Sequence, residues 1–76
     1  MNNFALILSH DEALVFFEWL SSLEERVDST IYDEAEQNVV WKIEGQLEKG
    51  LPDVVMEDYR ERVTAAKLRV ALPKAE

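Results

Sequence analysis

A chain of 76 residues without cysteine has room for one hydrophobic core and no disulfide or thiolate metal site to reinforce it, so its stability must come from helix packing or association. Sixteen acidic against eight basic residues give a net charge of -8, all of it before Leu51, because the residues that follow carry five acids and five bases. That balance excludes the basic footprint of direct nucleic-acid binding, which needs clustered Lys and Arg, and suits a basic partner or simple solubility.

Met1 to Leu8 (MNNFALIL) ends in five apolar residues, too few to cross a bilayer or serve as a signal segment and without a basic lead, which predicts a soluble, cytoplasmic protein with no membrane contact. Its period does not separate strand from helix. The reading taken is an extended arm whose Phe4, Leu6 and Leu8 close the bottom of the core, with a strand paired to a symmetry mate as the alternative.

Ser9, with Glu12 three residues on, is a capping box that opens the first helix, predicted over about 9–27, with Leu8 and Ala13 placed as a hydrophobic staple. At 100° per residue Phe16, Leu23, Val27, Leu20, Ala13 and Phe17 share a broad apolar arc with Trp19 at its edge, and Asp11, Glu18, Ser22 and Glu25 fall opposite. An arc that wide touches more than one neighbour, so this is the central helix. Asp28, Ser29 and Thr30 supply a turn, and Ile31 and Tyr32 read as buried loop residues.

Asp33 and Glu36 repeat the capping box for a second helix over about 33–49, which explains why Glu36 falls on its apolar side. Val39, Val40, Ile43 and Leu47 form that side; Trp41 lies nearly opposite, alongside Gln37, Glu44 and Glu48. A tryptophan on a polar face is covered by the arm, by the tail or by another chain. Gly45 inside the helix implies close approach of a neighbour, and Gly50 reads as a left-handed cap before Leu51, which folds back, and Pro52.

The third helix is predicted over about 54–71, with Asp53 as the better cap and Met56, Tyr59, Val63, Ala66 and Val70 as a narrow stripe. Pro73 ends it and Lys74 to Glu76 fray. Residues 1–76 thus read as a single domain of the all-α class, a small antiparallel three-helix bundle with an extended N-terminal arm.

Little chemistry can be drawn on this frame. His10, the only histidine, has no Glu-x-x-His or His-x-x-x-His spacing and reads as a solvated surface residue. Glu24, Glu25, Asp28, Asp33 and Glu34 cluster at the first turn, but a calcium loop begun at Asp28 would put Asp33 where its glycine belongs. No nucleophile and base can be paired, and no glycine-rich phosphate loop is present, so neither catalysis nor a cofactor nor a specific metal site is expected.

EALVFFEWL (Glu12 to Leu20), AEQNVVWKIEGQLEK (Ala35 to Lys49) and the basic helix from Tyr59 to Arg69 together resemble a group of short bacterial helical proteins. In those, E-A-L-x-F/L-F/L-E-F/W-L precedes A-E-x-x-x-L/W-x-L/I-E-x-x-L-E. The resemblance covers most of the chain and implies a helical domain of bacterial or phage type, with no activity attached. The expected function is a noncatalytic interaction module that self-associates or binds a protein partner through an apolar patch that includes Trp41, with Gln37 and Glu44 beside it as further contact residues. The alternative is an acidic inhibitor, an immunity protein or nucleic-acid mimic, docking Glu24, Glu25, Asp28, Asp33 and Glu34 on a basic surface.

Overall fold

The computed structural model describes residues 2–26 and 33–72, the side chains of residues 24–26 excepted. Three α-helices, α1 (His10–Arg26), α2 (Glu34–Gly50) and α3 (Tyr59–Ala71), are joined in the described part by a 3₁₀ turn at Pro52–Val55, and no strand occurs among the described residues. α1 packs against both α2 and α3, the contact with α3 being the larger, while the 3₁₀ turn touches α2 and α3. The packing is that of a helical bundle with α1 at its centre. Expected positions at Val27, Ser29 and Thr30, the buried Ile31 and Tyr32, Pro73 and the tail lie outside the described residues.

Both capping boxes form. At α1 the Ser9 backbone N–H donates to Glu12 Oε1 over 2.8 Å and the Glu12 N–H returns to Ser9 Oγ at 3.1 Å. At α2 the Asp33 N–H reaches Glu36 Oε1 at 3.0 Å and the Glu36 N–H reaches Asp33 Oδ1 at 2.8 Å. Each box satisfies two backbone donors that would otherwise be orphaned at a helix start.

The exit from α2 differs from the expectation of a left-handed Gly50. No glycine has positive φ, and the chain leaves through Leu51 in an extended conformation (φ -122°, ψ 90°). Two constraints account for this: a residue before proline is pushed out of the α region, and Leu51 must turn inward to join the core. The third helix also begins later than residue 54. Pro52 starts a 3₁₀ turn, with Val54 N–H bonded to Leu51 O at 3.2 Å and Met56 N–H to Asp53 O at 3.1 Å, and α3 follows only at Tyr59.

Leu14, Leu51, Val63 and Ala66 are buried together, with Ala13, Val15, Phe17, Leu47, Val54 and Tyr59 packed around them. Leu14 corrects the arc assigned to α1, for it lies between Asp11 and Glu18 on the side taken as outward. Those acids instead flank the contact with α3. Arg69 Nε and Nη2 grip Asp11 at 2.6 and 2.9 Å, while Glu18 accepts from the Tyr59 hydroxyl at 2.7 Å and from Arg60 Nη1 at 3.2 Å. A leucine flanked by acids is a core position once the opposing helix brings tyrosine and arginine.

α2 is the loosest element, since none of its residues is fully buried. Its face toward α1 is centred on Val40, Glu44 and Leu47, all half-buried, and Glu44 accepts a 3.4 Å bond from Ser21 of α1. Gln37 and Glu44 are therefore not opposite the packing face as expected, and Val39, expected inside it, is 56% exposed. The N-terminal segment does not close the core either. Residues 2–9 take neither helix nor strand, and Phe4 and Ile7 are each 97% exposed.

Gly45 has no neighbour close enough to require it, because a Cβ built there meets nothing within 4 Å. Gly45→Ala should then stabilise the fold by up to about 1 kcal/mol, a rise of several degrees in Tm by thermal circular dichroism. Leu14→Ala should act the other way, costing about 2–5 kcal/mol. A chain of this length holds only about 4–11 kcal/mol in all, so this variant should melt far lower or fail to fold.

Candidate functional site

Two features stand out, one polar and one apolar. The polar one is built on Asp53, which enters the 3₁₀ turn just after Pro52 and is buried although ionisable. Its Oδ1 lies 2.8 Å from His10 Nε2 on α1 and its Oδ2 accepts from Arg62 Nη1 of α3 at 3.1 Å; Arg62 Nε in turn bonds Asp58 at 2.7 Å. One carboxylate thus ties the start of α1 to the 3₁₀ turn and to α3. His10, expected as a solvated surface residue, remains more than half exposed but serves as one of the two hands on Asp53.

The charges follow from this geometry. Burial alone would raise the Asp53 carboxyl, but the Arg62 hydrogen bond, its own backbone and the charge of His10 outweigh it and hold the group below its ordinary 3.8. Asp11 is likewise lowered, chiefly by the bidentate bond from Arg69. Tyr59 is pushed well up by burial and by donating to the Glu18 carboxylate, so it stays a neutral donor. Both oxygens of Asp53 are engaged, and among the described residues no three His, Asp or Glu side chains converge as a metal site. The cluster is a clamp between elements.

The apolar feature is a continuous surface centred on Phe16. A concavity of about 820 Å³ opens between residues 3–8, Phe16 of α1 and the Lys42–Leu47 side of α2. Beside it runs a groove of about 450 Å³ lined by Leu6, Leu8, Val15, Phe16, Trp19 and Val70, with Glu12 at its edge. Leu6, Leu8 and Phe16 belong to both. Trp19, half exposed, stacks on Phe16 with ring centroids 6.2 Å apart and planes 15° from parallel, so the two rings present one aromatic face. Glu12 and Lys42 are the only charged residues along these walls.

The residues singled out from sequence stand elsewhere. Trp41, 56% exposed, shares a stripe of α2 with Gln37 and Glu44, but none of the three lines either hollow. Asp33 caps α2, and Glu34 is exposed in its first turn. Glu24 and Glu25 by their side chains, and Asp28 altogether, lie outside the described residues, and so does the expected acidic group. The Asp53 clamp was not legible, because His10 is 43 positions away in sequence and no local pattern links them. The Phe16 surface did leave a signal in the apolar run Phe4 to Leu8, which leads into a helix with Phe16 and Trp19 one turn apart.

Comparison with protein-family models, with curated proteins and with solved structures finds no match to this chain in any of the three. Among the described residues no helix is long and apolar enough to cross a membrane.

Asp53 and Asp11 have lowered folded-state values, so the stability they contribute is complete above the unfolded carboxylate range and is lost as pH falls through the folded values. Tm should accordingly be flat with respect to these groups above about pH 5 and fall below it. Asp53→Asn should lower Tm at neutral pH and make the acid limb shallower, which melting curves across the acid range would record.

Proposed function

We propose that the chain is a noncatalytic helical interaction module, an antiparallel three-helix bundle with an extended N-terminal arm, that works in the cytoplasm by presenting an apolar surface to a second copy or a protein partner. The observation that carries this is the uninterrupted run of Leu6, Leu8, Phe16 and Trp19 along two adjoining hollows. A contiguous exposed apolar patch bordered by polar residues is a candidate contact surface. Stacked aromatics at the centre are the residues that anchor protein contacts. The reading includes no cofactor, no nucleic acid and no membrane, in line with an acidic chain lacking basic clusters.

Trp41 offers a second exposed aromatic on the flank of α2 and belongs to the same reading as a secondary contact. The test is binding to the immobilised chain, washed in steps of rising salt. Bound protein should stay through about 1 M salt, where the screening length is only about 3 Å. It should be lost on Phe16→Ser while Trp41→Ala weakens it less. Release at moderate salt, with Phe16→Ser without effect, would instead point to docking through the acidic residues.

A further inference from the structure

We propose that residues 2–8 are a strap that swings down over the Phe16 surface, seating Phe4 and Leu6 between Phe16 of α1 and Ile43 and Leu47 of α2, so that a partner has to displace the chain's own N-terminal segment. The raised position described above is then one of two. The regulatory sense of the strap rests on the interaction-module reading.

The first argument is placement. Phe4, Leu6 and Leu8 all line the larger hollow, whose opposite wall includes Phe16, Ile43 and Leu47, and Leu6 and Leu8 also line the groove beside it. Exposure along these three falls toward Ser9, from 97% at Phe4 through 78% at Leu6 to 40% at Leu8. The segment is therefore seated at its root and raised at its tip.

Attachment is the second. Ser9 is fixed by both bonds of the α1 capping box, at 2.8 and 3.1 Å, whereas no hydrogen bond joins residues 2–8 to another described residue. Motion is confined to the residues before Ser9, and no bond within the described structure has to break for it.

The tether decides which apolar group comes first. A segment held a few residues away has an effective concentration on the order of millimolar, so a separate protein occupies the surface only by binding more tightly or by being as concentrated. The gain on closure is limited, because burying one phenylalanine and one leucine is comparable to the cost of ordering the residues that carry them. A balance of that kind leaves both positions populated, as a displaceable cover requires.

The experiment uses the full chain alone. Nuclear Overhauser spectra should show cross-peaks from the Phe4 ring to the methyl groups of Ile43 and Leu47, contacts that a side chain 97% exposed does not make. Phe4→Ser changes that exposed side chain, so its helical circular dichroism should match the parent. Its fluorescence with anilinonaphthalene sulfonate, a dye that reports uncovered apolar surface, should rise about twofold or more.

Absence of the cross-peaks overturns the strap, and so does unchanged dye fluorescence in Phe4→Ser. Both readouts are made without a partner, so closure stands or falls apart from the module reading. A protein held on the Phe16 surface through high salt keeps that reading even where the strap fails.

Discussion

Leu14 meets Leu51, Val63 and Ala66 where α1, the end of α2 and α3 come together, and the rest of the fold depends on that meeting. It joins three stretches far apart in sequence through few side chains, only Leu14 and Val63 being large and wholly enclosed. A centre so small leaves little hydrophobic free energy to spare. The polar bonds around it act as struts that hold the geometry in which those few residues remain dry.

The struts are distributed with some logic. Arg69 on Asp11 and the Tyr59 and Arg60 pair on Glu18 stand on either side of Leu14, so α1 and α3 are fixed in register along their contact. Asp53, gripped by His10 and Arg62, fixes the 3₁₀ turn and with it Leu51 next door. α2 is held to α1 in part by the 3.4 Å contact from Ser21 to Glu44, and contributes no fully buried residue. The element least anchored by the core is the one that forms a wall of the larger hollow.

The shortage of cover and the candidate surface have a common origin. Phe16 and Trp19 sit on the α1 flank that neither α2 nor α3 reaches completely, and residues 2–9 border that flank without sealing it. That incomplete cover leaves aromatic side chains available for contact, and the proposed function rests on it.

What the sequence determined by itself was local. Both capping boxes, the helical period of three segments, the break at Pro52 and the inward turn of Leu51 depend on residues within a few positions of one another, and they stand in the structure as the spacing predicts. The tertiary structure decided which face of each helix is inside. Leu14 between two acids became core because Arg69, Tyr59 and Arg60 arrive from α3 to satisfy those acids, and Asp53 was buried because His10 and Arg62 converge on it from other elements. It likewise left Phe16 and Trp19 short of cover and Gly45 without a close neighbour. A hydrophobic arc records what a helix has to bury, whereas burial itself depends on how much partner surface arrives, and that is set by packing across the whole chain.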